Sequence, residues 1–290
     1  MITTTYLHAS DFLARVRAEL ERHEVLNSLP LGIALHLQKF PEHIETPPYL
    51  ATVEEEGKLV VAAVMTPPVR LIIASNQGDG FDAAFALLIH NLREQGRAVP
   101  GVIGPAALSN RFVQAWSSQT GEAAYLRIRE RLFELTHVIA PRSRPGSLRL
   151  ATLDETALVG RWFKDFEEEA LHTSLSEEEA IADARTRIGN GEVYFWVLPD
   201  GAVVSMAGTA RPVSRVISVN SVYTPPEQRG HGYASRMVAT LSQHLLDSGW
   251  ERCTLFTDLS NPTSNTIYQQ IGYQPVQDFH VYDFSRTSAA

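Results

Sequence analysis

The chain has 290 residues, of which 44% are hydrophobic and 20% are charged, and its formal net charge is −8 at pH 7. This length and composition are typical of a globular protein of about two domains, and they exclude extensive disorder. No apolar run reaches the roughly 20 residues of a membrane helix, and a net acidic charge disfavours binding to phosphate backbones, so we expect neither a membrane nor a nucleic-acid partner.

The first residues, MITTTYLHASDF, lack the basic and apolar regions of a secretory signal. The single cysteine excludes an internal disulfide and a multi-cysteine zinc site, and the 10 histidines lack paired ligand spacing. We therefore expect a cytoplasmic protein without a bound metal.

The first half of the sequence predicts a helix, a group of three strands, a second helix and a closing series of apolar segments. In chain order these are the helix Asp11–Arg22, the strands Tyr49–Val53, Leu59–Met65 and Val69–Ser75, the helix Phe81–Leu92, the strand Ala98–Gly104, the short helix Pro105–Phe112 and the apolar segment Glu130–Val138.

The second half begins with a strand at Leu148 and a helix from Glu155 to about Ala170. A second helix, Ser176–Ile188, opens with the serine–glutamate spacing of a capping box. The elements that follow are the strands Val193–Leu198, Ala202–Ala210 and Arg215–Tyr223, the helix Ala234–Leu245, the strand Cys253–Asp258, the short helix Asn261–Tyr268 and the apolar segment Val276–Phe284.

Five elements recur in the same order in the two halves, which predicts an internal duplication. The stretch Pro141–Ser147 (PRSRPGS) combines prolines, serines and a glycine, as linkers often do. We therefore expect one domain over residues 1–140, a linker over 141–147 and a second domain over 148–290.

The two halves differ most between the third strand and the next helix, where the second half carries the loop Thr224–Ala234. Gly230 and Gly232 let a ligand approach the backbone closely, and the amides at the helix start favour an anion. With the positive charge of Arg229 these features suit a pyrophosphate, whereas two glycines alone would fit an ordinary turn. The loop has neither the GxGxxG of dinucleotide folds nor the GK[ST] of mononucleotide loops.

The end of this loop contains a six-residue motif that resembles the R/Q-x-x-G-x-G/A signature of the GNAT acetyltransferase superfamily. Its fixed positions are Arg229, Gly232 and Ala234. The preceding Val222–Pro225 is similar to the strand end that comes before this signature in the family. The later Asn261–Pro275 is similar to the second half of the family's fold, with its asparagine, tyrosine and closing Gly-aromatic pair. The resemblance covers about residues 148–284.

The resemblance implies an α/β fold of two tandem acetyltransferase-like domains, each a mixed, mostly antiparallel sheet flanked by helices. It implies acetyl-CoA as the cofactor, bound where the strands Arg215–Tyr223 and Cys253–Asp258 splay apart. Strand backbone then pairs with pantetheine, and loop amides hold the pyrophosphate. The cofactor-binding residues implied in this way are Val222, Tyr223, Arg229, Gly230, His231, Gly232, Tyr233, Ala234, Asn261, Ser264 and Tyr268.

The resemblance also assigns two catalytic positions. It makes Tyr268 the acid that protonates the departing thiolate, a role that suits a phenol with a reference pKa of about 10. The alternative is that Tyr268 is a core aromatic on a short helix. A backbone N–H around Tyr223 is expected to stabilise the oxyanion.

The general base stays open, because the strand Arg215–Tyr223 contains no carboxylate. Asn220 and Ser221 are able to orient a water but not to remove a proton at neutral pH. The candidate bases are Glu167, Glu168, Glu169, His172 and Asp258. The three glutamates also fit a solvated helix face, and Cys253 is expected to be a buried filler rather than a nucleophile.

In the first half the corresponding loop is Asn76–Gly80, whose Asp79 would repel a pyrophosphate. This half is therefore expected to be a degenerate domain without its own cofactor. The whole chain is expected to be an N-acetyltransferase that moves acetyl from acetyl-CoA to a primary amine by direct transfer through a ternary complex. A cationic small molecule is favoured over a protein as acceptor because the chain is acidic. Two alternatives are a non-catalytic acyl-CoA-binding or regulatory module and an aminoacyl-tRNA-dependent transferase.

Overall fold

A computed structural model of the chain describes residues 1–41, 46–76, 81–171 and 173–285. The chain forms two compact units. Unit 1 comprises Met1–Leu132 together with the chain from Val276 onward, and unit 2 is the continuous segment Phe133–Pro275. The division expected from the sequence, with a linker at 141–147, stays a prediction.

Unit 1 contains a mixed sheet and four helices among its described residues. Its elements are β1 (Ile2–Tyr6), α1 (Ala9–Leu20), α2 (Ser28–Lys39), β2 (Tyr49–Glu55), β3 (Lys58–Met65), β4 (Leu71–Ala74), α3 (Phe81–Glu94), β5 (Gly101–Pro105), α4 (Ala106–Thr120), most of β6 (Ala124–Leu135) and nearly all of β12 (Gln274–Phe284). The strand order runs β1-β2-β3-β4-β5-β12. Neighbouring strands in this order are antiparallel except for β4 and β5, which are parallel.

The β2–β3 hairpin shows why the sequence folds locally as predicted. Glu56 and Gly57 form its two-residue turn with φ of 50° and 76°. Positive φ at both positions is typical of the type I′ turn, whose twist matches that of the flanking strands. Glu55 pairs with Lys58 directly across the turn, so the hairpin predicted from the two apolar segments and the turn with Gly57 is present.

The core of unit 1 lies between the sheet and the helices α3 and α4. Phe85, Phe112, Trp116 and Phe284 pack together there, and the rings of Trp116 and Phe284 stack with centroids 4.9 Å apart. Because Phe284 belongs to β12, the last strand of the described chain contributes to this core.

Unit 2 has the strand order β7-β8-β9-β10-β11, and neighbouring strands in it are antiparallel except for the parallel pair of β10 with β11. Its elements are β7 (Ser147–Leu150), α5 (Thr156–Phe166), α6 (Glu177–Gly189), β8 (Val193–Val197), β9 (Val203–Val213), β10 (Val216–Tyr223), α7 (Tyr233–Asp247), β11 (Arg252–Asp258) and α8 (Pro262–Gln270). The capping box predicted for α6 is present: Ser176 accepts from the Glu179 N–H at 3.2 Å, and the Glu179 carboxylate accepts from the Ser176 N–H at 2.9 Å.

Two apolar clusters cover the two faces of this sheet, because successive strand residues point to opposite sides. One cluster joins β10 and β11 to α7 and α8, and it includes Val219, Leu241 and Cys253. The other joins β8, β9 and β10 to α5 and α6, and it includes Trp162 and Tyr223. Cys253 is fully buried as expected, and burial raises the pKa of its thiol to about 12.

The predicted fold class is confirmed: mixed, mostly antiparallel sheets flanked by helices. Some predicted elements differ in their bounds. The helix predicted from Pro105 to Phe112 extends to Thr120, and the one predicted to end near Ala170 ends at Phe166. A five-residue π-helical turn, Glu167–Leu171, continues it.

Candidate functional site

An opening in unit 2 forms where β10 leaves β11. The two strands pair only from Val216 to Ser218 with Arg252 to Thr254. Within these fully described strands, no pairing is recorded beyond Ser218, although β10 continues to Tyr223 and β11 to Asp258. Ser221 has a positive φ of 47°, and the register of β10 with β9 shifts between Asn220 and Tyr223. The irregular segment of β10 therefore coincides with the divergence of the two strands.

An arginine with 14% of its side chain exposed holds this irregular segment. Arg187, on α6, donates to Asn220 Oδ1 at 2.8 Å and to Ser221 Oγ at 3.1 Å. Its guanidinium also lies 4.8 Å from the Phe163 ring centroid, and burial lowers its pKa from the ordinary value. Asn220 and Ser221, which we considered as water-orienting residues, thus accept hydrogen bonds from Arg187. No motif in the sequence points to this arginine.

The glycine-rich loop leads into α7. A 3₁₀ turn, Pro226–Gln228, precedes it, and Gly230 and Gly232 both have φ of 78°. A Cβ atom built on Gly230 has no neighbour within 4 Å, so the space beside this residue is open. Helix α7 begins at Tyr233, and the N–H groups of a first helical turn have no partners inside the helix. The loop thus presents glycine backbone without side chains, and it leads directly to the N–H groups at the start of α7. Both features suit an anion site.

A second arginine, missed by the sequence analysis, lies over the loop. The Nε atom of Arg144 is 3.1 Å from the Cβ position of Gly232. The neighbouring Pro145 carbonyl accepts a 3.0 Å hydrogen bond from Trp196 Nε1, which attaches this segment to β8. The segment we expected to be a linker therefore brings a positive charge to the predicted anion site.

Arg229 lies in the loop, and its side chain faces the end of β10. It donates to the Thr224 carbonyl at 2.8 Å and to Glu169 Oε2 at 2.6 Å. His231 and Tyr233 stack with ring centroids 5.5 Å apart, and Ala234 lies in the first turn of α7.

Tyr223 is buried, and its hydroxyl faces two carboxylates. The oxygen lies 3.4 Å from Asp165 Oδ2 and 3.5 Å from Glu169 Oε1. Burial, with these two negative charges, raises the pKa of Tyr223 to about 12. The Tyr223 carbonyl accepts a 3.1 Å hydrogen bond from Ser205 Oγ. Asp165 was not among the candidate bases.

Tyr268, on α8, is also buried, with 8% of its surface exposed. Its ring packs edge-on against Tyr273 with centroids 6.0 Å apart, and burial raises its pKa to about 12. Among the described residues, none is recorded as accepting a hydrogen bond from its hydroxyl. Tyr268 therefore packs as a core aromatic and also keeps an unused, protonated hydroxyl.

The N-terminus of α8 carries the remaining predicted residues. Asn261 Oδ1 accepts from the Ser264 N–H at 3.0 Å, which caps the helix and leaves the Asn261 amide nitrogen as a donor. Asp258 Oδ1 accepts from the Ser260 N–H at 2.7 Å, so this candidate base closes a turn. Val222 is half-buried and packs with the cluster on the α7 side of the sheet.

The remaining candidate bases differ in their contacts. Thr173 donates to the carboxylate of Glu167, Glu168 is exposed, and only Glu169 reaches the end of β10. His172 and residues 77–80, including Asp79, lie outside the described residues. In the ranges that the structure describes, no cluster of His, Cys, Asp or Glu is suited to a metal ion, and no helix is long and apolar enough to cross a bilayer.

Comparison with known proteins matches this part of the chain to a family. The sequence model of the Acetyltransferase (GNAT) family matches residues 157–273. A curated mouse protein, probable N-acetyltransferase family 8 member 5, is 26% identical over 123 residues. That match covers 40% of this chain and 52% of the mouse protein, so the chain spans about half the length of this relative.

Solved structures share the fold over nearly the whole chain. A GCN5-related N-acetyltransferase from Sphaerobacter thermophilus has a TM-score of 0.62 and 15% identity, with 97% of this chain and 94% of that chain covered. A tandem GNAT protein from the clavulanic acid biosynthesis pathway has a TM-score of 0.57 and 12% identity, with 100% of both chains covered. Residues 157–273 are therefore similar in sequence to the GNAT acetyltransferase family, and these solved structures share the fold of the whole chain.

Proposed function

We propose that this protein is an N-acetyltransferase that moves acetyl from acetyl-CoA directly to the primary amine of a small molecule within a ternary complex. The observation that carries the proposal is the opening between β10 and β11, next in the chain to a glycine-rich loop at the start of a helix.

The residues around the loop fit coenzyme A. Amides from Arg229 to Ala234 would hold the pyrophosphate, and the space beside Gly230 leaves room for it. Arg144 adds a cation to the same place. Backbone groups of Val222 and Tyr223 would pair with pantetheine, and Asn261 with Ser264 would meet it from the start of α8. Bound acetyl-CoA would supply the acetyl thioester.

Tyr268 is the proposed acid. Because its pKa is raised to about 12, its hydroxyl stays protonated at neutral pH and is available to the departing sulfur. A backbone N–H at the end of β10, around Tyr223, would stabilise the negative charge that develops on the carbonyl oxygen.

A cationic acceptor suits the charges near this site. Asp165 and Glu169 both lie beside the Tyr223 hydroxyl, and the chain carries a formal net charge of −8. Carboxylates at this position attract an ammonium group and offer an acceptor for its proton.

We place the coenzyme site in residues 148–290 and regard residues 1–140 as a degenerate acetyltransferase-like domain of a tandem duplication. The order β-α-α-β-β-β-α-β-α-β occurs once from β1 to β6 and again from β7 to β12, which supports this division.

The test is calorimetric titration with acetyl-CoA of the wild type and of Gly232→Glu. We expect micromolar binding by the wild type and none by the variant, because the new carboxylate repels the pyrophosphate. Gly249→Glu is the matched control: Gly249 follows the other end of α7, also has a positive φ, and has open space around a Cβ atom. It should bind like the wild type.

A screen of primary amines for release of free thiol would then identify the acceptor. A wild type that does not bind acetyl-CoA would refute the proposal. Tyr268→Phe separates an enzyme from a non-catalytic acyl-CoA-binding module, because only an enzyme loses turnover while it keeps its affinity for the coenzyme.

A further inference from the structure

A tyrosine, two carboxylates and an arginine meet at the end of β10. Tyr223 faces both Asp165 and Glu169, and its single hydroxyl proton serves only one of them at a time. Arg229 pairs with Glu169. In the part of the chain that the structure describes, no cation is recorded within ion-pair distance of Asp165. The group therefore holds two carboxylates and only one guanidinium.

The position of this group matters because the sheet opens beside it. Tyr223 packs with Trp162 in the cluster on the α5 side of the sheet, whereas Tyr268 belongs to the cluster on the α7 side. Residues Asp165 and Glu169 thus lie on the face opposite the proposed acid. An amine that approaches from this face meets the carboxylates before it reaches the opening.

Glu169 owes its position to the π-helical turn Glu167–Leu171 that follows α5. π-helical turns are rare and occur frequently at functional sites. Here the turn directs Glu169 toward both Tyr223 and Arg229, while its neighbour Glu168 is exposed.

Arg229 connects this group to the coenzyme loop. It directly precedes Gly230, so its backbone belongs to the loop while its side chain holds Glu169. The ion pair is weak, because its side chains are 47% and 45% exposed. A pyrophosphate in the loop would offer Arg229 a stronger, charge-assisted partner than Glu169.

We propose, on the basis of the function proposed above, that Arg229 exchanges Glu169 for the phosphates of the coenzyme and thereby releases Glu169 to act on the acceptor amine. Glu169 and Asp165 together bind the ammonium group of a cationic primary amine. Glu169 takes one N–H proton from the ammonium group and later gives it to solvent. The freed lone pair forms the new N–C bond as the C–S bond breaks, and Tyr268 gives its proton to the departing sulfur. The acylated nitrogen then releases a second N–H proton, which returns through solvent to the Tyr268 oxygen. Coenzyme binding thus prepares the acceptor site, and linkage requires the amine to favour coenzyme binding in turn.

The first experiment is titration with free coenzyme A, which binds without turnover. Glu169→Gln should bind coenzyme A about two- to fivefold more tightly than the wild type, because Arg229 no longer has a competing partner. Glu168→Gln, the adjacent exposed position, should bind like the wild type. In an Arg229→Ala background, Glu169→Gln should give no further gain.

The second experiment uses 1,4-diaminobutane as the probe. The wild type should bind it more tightly in saturating coenzyme A than without it, and Glu169→Gln should lose this difference. Asp165→Asn should weaken diamine binding in both conditions.

The outcomes distinguish this inference from the proposed function. A wild type that does not bind coenzyme A overturns both. If the wild type and Glu169→Gln bind coenzyme A with equal affinity, only the exchange at Arg229 is overturned. Diamine binding that is absent, or unaffected by coenzyme A, overturns the coupled ammonium site and leaves the coenzyme site standing.

Discussion

Gly208→Ala should destabilise unit 2 by displacing Arg187. A Cβ atom at Gly208, on β9, would lie 2.3 Å from Arg187 Nη2 and 2.8 Å from Asn220 Oδ1. Both distances are too short for a real Cβ contact. The guanidinium and the Asn220 amide must therefore move apart from the new methyl group, and we expect this shift to break the hydrogen bonds of Arg187 to Asn220 and Ser221.

The size of the effect follows from those bonds. Hydrogen bonds to charged groups each contribute about 1.5–3 kcal/mol, and part of this is recovered when the guanidinium reaches water. We expect a net loss of about 2–4 kcal/mol in the free energy of unfolding, with a fall of about 6–10 °C in the thermal midpoint. Coenzyme affinity should fall too, because Arg187 no longer fixes the segment of β10 at the opening.

Thermal unfolding followed by circular dichroism measures the first effect, and titration with coenzyme A measures the second. Gly189→Ala is the matched control, since Gly189 ends α6 and a Cβ atom there has no neighbour within 4 Å. Its midpoint should be unchanged or slightly higher. If Gly208→Ala keeps both the wild-type midpoint and the wild-type affinity, Arg187 does not hold the opening.

Three further predictions test other residues. Tyr268→Phe should lower kcat by about 10²–10⁴-fold, because it removes the general acid, while the affinity for the coenzyme changes little. Steady-state kinetics would measure the first effect and calorimetry the second. Arg144→Gln should weaken coenzyme A binding about three- to tenfold, whereas Arg142→Gln should not. If the two variants change the affinity for coenzyme A equally, Arg144 is not part of the site. The Arg149 guanidinium lowers the pKa of Glu155 to about 2, so this pair stabilises the fold above pH of about 4.5 and loses its effect as the pH falls toward 2. Glu155→Gln should therefore cost about 2 kcal/mol at pH 7 in urea unfolding and nothing near pH 2, and a pH-independent cost would contradict the assignment.

Local sequence patterns predicted much of the fold. The β2–β3 hairpin has its strands where two short apolar runs and a glycine turn place them, and the capping box at Ser176 and Glu179 is formed. The glycine-rich loop leads into α7 as its motif implied. In each case the residues that determine the structure lie within a few positions of one another.

Two elements at the beginning of the chain were missed for identifiable reasons. The strand β1 is short and rich in threonine, and only its pairing with β2 makes it a strand. Helix α2 contains Pro30 and Gly32, which usually argue against a helix. Pro30 is tolerated because it lies in the first turn, where a missing N–H breaks no intrahelical bond.

The missed site residues act across long sequence distances. Arg187 meets residues 33 and 34 positions later, and Asp165 meets Tyr223 58 positions later. Arg144 reaches Gly232 from a segment whose composition indicates a linker. No periodicity or motif signals such contacts, because a single charged residue on a helix or in a loop has the same pattern whether or not it faces a site.

Strand β12 gives the chain an unusual order of completion during synthesis. Unit 2 is a continuous segment that ends at Pro275, so every residue it needs is synthesised before most of β12. Unit 1 must wait for that strand, which pairs with β5 through Phe279–Asp283 and places Phe284 against Trp116. Until then the edge of β5 and its apolar neighbours stay uncovered, which is the condition that favours aggregation and chaperone binding. The unit that contains the first residues of this chain is therefore the last to have all of its strands synthesised.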